Sequence, residues 1–420
     1  MSDGTGKPRP EIRGDILFDH IRTLSLIGAD PLGGRTRLTL TEEDRKARDL
    51  LVEWMKELDL DVRVDCFGNI FGILEGKDVE KDSLMIGSHI DTVIHAGPYD
   101  GCYGVLSGLA VARAFREAGC IPGRPLVVAA FTNEEGVRFQ PDMLGSLAFV
   151  GGITADEALS VKDDGGITVG EALSRIGYSG KEEPGFLIPS EYIELHVEQG
   201  PRLDAEKIRI GVVEGVQGIS WWRVSITGKA NHAGTTPTNM RHDAGYSAAR
   251  VSVFLRDLAV TTGTTLATIG TISFEPGAVN VIPSKAVFTV DLRDPDSTRL
   301  TEAEEKLAEF LQKAAREEGV QISSEHLVRF DPVVFDRGLA GEVEKAALSR
   351  GLSSMRMVSG AGHDAQMMAR VCRAAMIFVP SVGGISHNPD EHTPEEDLAA
   401  GAGVLLDVVL KLVGFSFKEK

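Results

Sequence analysis

Three neighbouring segments decide the fold: SLMIGSHIDT at residues 83–92, GVLSGLAVARAFREAG at 104–119 and LVVAAF at 126–131. The apolar runs in the first and third segments predict buried strands. In the second segment, apolar side chains recur at helical spacing up to Gly119, a residue type that commonly ends helices. Together the segments predict a strand–helix–strand unit, from which parallel sheets with helices on both faces are built.

The outer parts of the chain supply further elements of the same kind. Residues 192–197 and the apolar run at 376–379 predict two more strands, and residues 395–413 carry the apolar pattern of a long helix. We therefore expect the first and last portions of the chain to form one α/β domain.

The middle of the chain has a different pattern. Residues 222–227 and 287–292 alternate apolar and polar side chains, which is typical of half-exposed antiparallel strands. Two helical stretches accompany them, near 244–258 and 300–318. This pattern predicts a two-layer α+β domain inserted into the larger one. The expected ranges are 1–214 with 331–420 for the larger domain and 215–330 for the insertion.

Composition and charge limit the partners and surroundings of the protein. The 420 residues include 62 acidic and 44 basic side chains, a formal net charge of −18, so the mean field repels nucleic acid and anionic membranes. No run of 18 apolar residues and no signal peptide are visible in the sequence. The four cysteines are scattered without CxxC spacing, and we expect a cytoplasmic protein.

Histidines and acids cluster at five places near the predicted strand ends. Open α/β sheets bind their ligands at the carboxyl ends of their strands. Each cluster alone has an ordinary explanation, such as a helix cap or a solvated turn, but five in one chain indicate a site. Imidazole and carboxylate ligands without thiolates favour zinc, with manganese, cobalt or nickel as substitutes. The clusters contain His89 with Asp91; Asp100; Glu134 with Glu135; Glu194 with His196 and Glu198; and His387.

These clusters belong to segments that follow one another in a characteristic order: GSHIDT at 87–92, DG at 100–101, NEEGVRF at 133–139, HVEQGP at 196–201 and SH at 386–387. In this order they resemble the amidase/carbamoylase branch of the M20 metallopeptidase-like family. That branch includes N-carbamoyl-L-amino acid hydrolases, β-ureidopropionases and allantoate amidohydrolases. The resemblance covers nearly the whole chain, and NEEGVRF and HVEQGP are specific to the branch because the peptidases of the family lack them.

The resemblance implies a di-metal aminopeptidase-like catalytic domain whose insertion is a lid and dimerisation domain. It also implies two divalent ions per subunit, with Asp100 bridging them. His89 and His196 would complete one metal site, and Glu135 and His387 would complete the other. Imidazole and carboxylate are the ligand types that such ions take in catalytic sites.

Further roles follow from the same resemblance. Glu134 would be the general base, and Asp91 would support the imidazole of His89. His232, in the segment 228–237, would hydrogen-bond the developing oxyanion across a dimer interface. The residues expected to bind or line the substrate site are Gln199, Asn280, Arg293, Gly360 and His363.

The activity implied is hydrolysis of an N-carbamoyl-L-amino acid to the amino acid, ammonia and carbon dioxide. An arginine fork such as Arg293 would fit the carboxylate of this small ureido substrate, although Asp294 is an alternative partner for it. An allantoate or ureidoglycolate amidohydrolase and a β-ureidopropionase are alternatives. An aminoacylase, a dipeptidase and a catalytically dead ligand-binding protein are more distant ones. A homodimer formed through the lid is also implied.

Overall fold

The predicted strand–helix–strand unit is present in the computed structural model, which describes residues 9–417. Its two strands lie side by side and parallel, with Leu84 opposite Leu126 and His89 opposite Phe131. The intervening helix begins at Cys102, slightly earlier than predicted, directly after a sharp turn at Gly101. The fold class expected from the sequence is therefore confirmed at the segment that decides it.

The strands of the described chain are numbered in order. They are β1 (Asp61–Val64), β2 (Ile70–Leu74), β3 (Leu84–His89), β4 (Cys120–Pro122), β5 (Leu126–Phe131), β6 (Glu191–Val197), β7 (Ile210–Val216), β8 (Gly218–Thr227), β9 (Leu266–Glu275), β10 (Lys285–Asp294), β11 (Gln321–Phe330), β12 (Val333–Val334), β13 (Ser354–Ser359), β14 (Arg373–Val379) and β15 (Phe415–Phe417).

The α-helices are numbered in the same way. They are α1 (Gly14–Ser25), α2 (Glu42–Glu57), α3 (Cys102–Glu117), α4 (Leu144–Phe149), α5 (Ala155–Ser160), α6 (Val169–Ile176), α7 (Arg202–Glu206), α8 (Ala244–Thr262), α9 (Ser297–Glu318), α10 (Arg337–Ser349), α11 (Asp364–Met368) and α12 (Glu395–Val413). Two short 3₁₀ helices lie at Thr238–Met240 and Val382–Gly384.

The chain divides into two units. The larger comprises the chain up to Glu214 and from Phe335 onwards, and the smaller is Gly215–Val334. The smaller unit extends beyond the expected end at residue 330 because β12, which follows, still pairs with the last residues of β7.

A nine-stranded mixed sheet, of which every strand except β12 and the end of β7 belongs to the larger unit, forms the frame of that unit. Its order is β1-β2-β5-β3-β6-β14-β7-β12, with β13 paired to β7. The central strands β5, β3, β6 and β14 run parallel. Every residue of β3, β5 and β6 is buried, because helices such as α3 and α12 pack on the sheet. The carboxyl ends of these adjacent strands therefore meet at one edge of the sheet.

The smaller unit is a two-layer α+β structure. Its four strands form an antiparallel sheet in the order β11-β8-β10-β9. Burial alternates along β10, as the sequence predicts, and the buried side chains pack with those of α8 and α9. Across residues 9–417, no helix is both long and apolar enough to cross a membrane.

Burial in the core predicts a large cost for shortening Leu109. This α3 side chain is fully buried, whereas Leu348 on α10 is 64% exposed. We expect Leu109→Ala to lower the free energy of unfolding by about 2–5 kcal/mol because it leaves a cavity. Leu348→Ala, the matched control, should change it by less than about 0.5 kcal/mol. Denaturant titration measures both, and equal losses would contradict the packing described here.

Candidate metal centre and active site

Two histidines and an aspartate form the first ligand group at the carboxyl edge of the sheet. His89 ends β3, His196 lies next to the end of β6, and Asp100 lies just before α3. All three are buried, and one ligand atom from each lies within 4.8 Å of the others. Nε2 of His89 and of His196 lie 3.7 and 3.3 Å from Asp100 Oδ1.

The opposite ring nitrogens of these histidines contact backbone carbonyls. Nδ1 of His89 lies 3.0 Å from the carbonyl oxygen of Asp91, and Nδ1 of His196 lies 2.9 Å from that of Val197. A carbonyl can only accept, so each Nδ1 donates a hydrogen bond. Both rings are thereby oriented with Nε2 towards Asp100, which is the arrangement that metal-binding histidines adopt.

A second ligand group uses the other oxygen of Asp100. It consists of Asp100, Glu135 and His387. Nε2 of His387 lies 3.1 Å from Asp100 Oδ2 and 3.5 Å from Glu135 Oε2. The other carboxylate oxygen of Glu135 is buried without a hydrogen-bond partner. The two groups therefore share one carboxylate, each through a different oxygen, as a bridging ligand requires.

Electrostatics at the site show a shortage of positive charge. Burial and repulsion from neighbouring carboxylates raise the pKa of Glu134 and of Glu135 well above the usual range. Burial alone would also raise the pKa of Asp100, but hydrogen bonds with His196 and His387 hold it well below its usual range. Divalent cations supply the compensation that such crowded acids need. The donor set and the unpartnered Glu135 oxygen therefore fit metal ions.

Glu134 lies beside the first ligand group. It is buried, and its Oε2 lies 3.3 Å from Nε2 of His89. The backbone N–H groups of Glu134 and Glu135 each donate to the Asp91 carboxylate at 3.3 Å. The sequence suggests that the Asp91 carboxylate supports His89. Oδ1 of Asp91 lies 3.8 Å from Nδ1 of His89, and the Asp91 carbonyl oxygen lies closer, at 3.0 Å. The carboxylate also fixes the backbone that carries both glutamates.

A cavity of about 160 Å³ opens onto both ligand groups. Gln199 lines it and donates from Nε2 to Asp100 Oδ2 at 2.9 Å. His363 also lines it, and its buried ring contacts Ser359 Oγ at 2.8 Å. Gly360, expected to line the site, does not border this cavity, whereas the next two residues of its loop do.

Three other residues expected to act on the substrate lie in the smaller unit: His232, Asn280 and Arg293. The backbone N–H of Ala233, next to His232, donates to the Asn280 carbonyl at 2.9 Å, so these two segments lie together. The exposed His232 ring accepts a hydrogen bond from the Gly234 N–H. Arg293, on β10, donates to Asp291 from Nε and Nη2. Its carboxylate partner on the same strand is thus Asp291.

The acids of the HVEQGP region have separate structural roles. Glu194 is buried and accepts hydrogen bonds from Ser88 Oγ at 2.7 Å and from the Ala365 N–H at 2.8 Å. Glu198 lies beyond the end of β6 and accepts from the N–H groups of Arg202 and Leu203 at the start of α7. The two glutamates of this cluster therefore differ in role: Glu194 supports the sheet, and Glu198 binds the N–H groups at the start of a helix.

Sequence reasoning missed Glu391. This buried carboxylate accepts from the Tyr99 N–H at 2.9 Å, the Asp100 N–H at 3.4 Å and Ser386 Oγ at 3.1 Å. In the sequence it is one of several acids in a polar segment, and only its distance of four residues from His387 could have drawn attention to it.

Comparison with known proteins decides the family. The family model described as Peptidase family M20/M25/M40 matches residues 85–411. The chain belongs to this family. Over 401 residues it is 41% identical to a Rhizobium meliloti protein named N-carbamoyl-L-amino-acid amidohydrolase, covering 95% of this chain and 96% of that protein.

Two further relatives show how far the likeness extends. A Bacillus subtilis protein named allantoate amidohydrolase is 34% identical, covering 94% of this chain and 97% of that protein. A solved amidase of the hydantoinase/carbamoylase family from Burkholderia multivorans is 40% identical with a TM-score of 0.95. That alignment covers 97% of this chain and 99% of the solved one.

The turn at Gly101 predicts a test of the candidate metal centre. Gly101 has φ 64°, and a methyl group there would overlap the ring of His89. We expect Gly101→Ala to weaken metal binding at least about tenfold by displacing this ligand. Gly177→Ala is the matched control, because Gly177 also has positive φ but open space around it. Calorimetric metal titration compares the two, and equal affinities would contradict the assignment of His89.

Proposed function

We propose that the chain hydrolyses an N-carbamoyl-L-amino acid to the amino acid, ammonia and carbon dioxide. The observation that carries this proposal is the pair of ligand groups that share Asp100, with Glu134 beside them. The name of the Rhizobium meliloti relative supports the choice of substrate.

Two divalent ions per subunit are part of the proposal. His89 and His196 with Asp100 would hold one ion, and Glu135 and His387 with Asp100 would hold the other. Nitrogen and oxygen ligands without thiolates favour zinc, with manganese, cobalt or nickel as substitutes. When bound, such ions polarise the scissile carbonyl and lower the pKa of water.

Glu134 is proposed to move the proton. Its carboxylate borders the cavity and is not a member of either ligand group. It would take the proton of the attacking water and pass it to the departing nitrogen. The backbone hydrogen bonds to Asp91 would keep it in place during both steps. The proposed role of Asp91 is therefore to position the base as well as His89.

Several further residues are proposed to orient the substrate. We propose that Arg293 and Asn280 bind its carboxylate, since a guanidinium forms two parallel hydrogen bonds with a carboxylate. Gln199, Gly360 and His363 would contact the rest of the molecule. His232 of the partner subunit would donate a hydrogen bond to the oxyanion as it forms.

A homodimer through the smaller unit is proposed together with this role of His232. β9 is an edge strand of the four-stranded sheet, and its side chains Leu266, Ile272 and Phe274 are exposed. An unpaired, partly apolar edge favours pairing with a second strand, and the same edge of a second copy offers one.

We also propose a cytoplasmic location, because all four cysteines are free thiols.

Allantoate is the second candidate substrate, because the Bacillus subtilis relative is named for it. An ammonia-release screen of the metal-loaded protein separates the candidates. It would compare N-carbamoyl-L- and D-amino acids, N-carbamoyl-β-alanine, allantoate and dipeptides. The proposal expects the highest kcat/KM for an N-carbamoyl-L-amino acid. Cleavage of dipeptides with no ammonia from any ureido compound would overturn it.

Removing the proposed base should stop hydrolysis without removing the metal. We expect Glu134→Gln to keep its metal content and to lower kcat by about 10²–10⁴-fold, because the amide cannot accept the proton. Glu396→Gln, at an exposed position on α12, is the matched control and should keep the wild-type rate. A wild-type rate in Glu134→Gln would show that another group is the base.

Removing the proposed clamp should affect carboxylated substrates selectively. We expect Arg293→Ala to raise KM for an N-carbamoyl amino acid by about tenfold or more, since hydrogen bonds to charged groups contribute about 1.5–3 kcal/mol. KM for the carboxamide analogue should hardly change. Arg223→Ala, on the neighbouring strand β8, is the control. Equal effects on both substrates would rule out a carboxylate clamp.

A further inference from the structure

The two ligand groups differ in how the chain supports them. His89 and His196 belong to buried central strands, and their side chains are 2% and 1% exposed. His387 lies outside every helix and strand, has a left-handed φ of 54°, and its side chain is 49% exposed. The second group therefore needs support from side chains that the sheet does not provide.

Glu391 contacts the two loops that carry this second group. Its Oε2 accepts hydrogen bonds from the N–H of Tyr99 and the N–H of Asp100, which fixes the backbone of the shared ligand. Its Oε1 accepts from Ser386 Oγ, directly before His387. One buried carboxylate thus joins the Asp100 loop to the His387 loop, which are almost 300 residues apart in the chain.

Gly97 makes this contact possible. A methyl group at this position would overlap the side chain of Glu391, and all three nearest atoms to that methyl position belong to Glu391. Gly97 does not have a positive φ, so alanine is compatible with its backbone. The close approach of Glu391 is therefore a specific feature of this loop pair.

We propose that Glu391 is a positioning residue that sets the affinity of the Asp100–Glu135–His387 group for its metal ion. It holds Asp100 and His387 at the separation that lets both reach one ion, without being a ligand itself. The inference rests on the two-ion centre proposed above. Outer partners that orient metal ligands typically change metal affinity by about 10–100-fold when they are removed.

The test is calorimetric titration of the metal-stripped protein with Zn²⁺. The wild type should bind two ions per subunit. Glu391→Ala should weaken one of the two sites by about 10–100-fold and the other clearly less, because the His89–His196 group depends on Glu391 only through the shared Asp100. Asp390→Ala, the control, removes the same charge from the adjacent, exposed position and should bind as the wild type does.

Two further variants keep the test decisive if Glu391→Ala does not fold. Glu391→Gln retains an oxygen that can accept hydrogen bonds from the Tyr99 and Asp100 N–H groups. The Zn²⁺ affinity of its weaker site should therefore lie between the affinities of that site in the wild type and in Glu391→Ala. Gly97→Ala keeps Glu391 but displaces it, and should weaken the same site more than the other. In each weakened variant, excess Zn²⁺ should restore much of the ammonia release, which a general folding defect would not allow.

The outcomes separate this inference from the proposed function. A wild type that binds only one ion would overturn the two-ion centre itself. A wild type with two ions, together with Glu391→Gln and Gly97→Ala variants that bind both ions with unchanged affinity, would overturn the positioning role alone. Equal weakening of both sites would also contradict it, because Glu391 holds the His387 loop through Ser386 but touches the His89–His196 group only through Asp100.

Discussion

The site depends on one carboxylate whose two oxygens face different ligand groups. Asp100 presents Oδ1 to His89 and His196, and Oδ2 to His387. The geometry of the surrounding chain follows from this constraint. Parallel strands bring the two histidines to the same sheet edge, the turn at Gly101 leaves room for the ring of His89, and buried acids accumulate where cations can offset their charge.

The acids around this carboxylate have different tasks because their hydrogen bonds differ. The carboxylate of Asp91 binds two backbone N–H groups and so fixes the Glu134–Glu135 segment. Glu391 binds the backbone of Asp100 and the hydroxyl of Ser386, and so joins two loops. Supporting residues of this kind would keep the proposed ligands and the proposed base in place, which catalysis at a metal centre requires.

Much of the fold follows from apolar patterns in the sequence. β5 and α12 have the predicted bounds, because burial on both faces of a sheet imposes a continuous apolar run, and burial of a long helix imposes apolar side chains at helical spacing. The ligand candidates that the structure brings together were recognisable as short local segments. Glu391 was not, because its role depends on a contact between residues distant in sequence. The contact between the Asp91 carbonyl and His89 was not recognisable either. Every residue has a carbonyl, and only the fold of the backbone places this one beside the imidazole.

The most direct test of the account is to locate the metal ions by anomalous scattering from crystals of the zinc-loaded protein. The account predicts two peaks, both in contact with the carboxylate of Asp100. One should lie beside Nε2 of His89 and of His196, and the other beside Nε2 of His387 and the carboxylate of Glu135. A single peak, or two peaks of which one does not contact Asp100, would contradict the central claim.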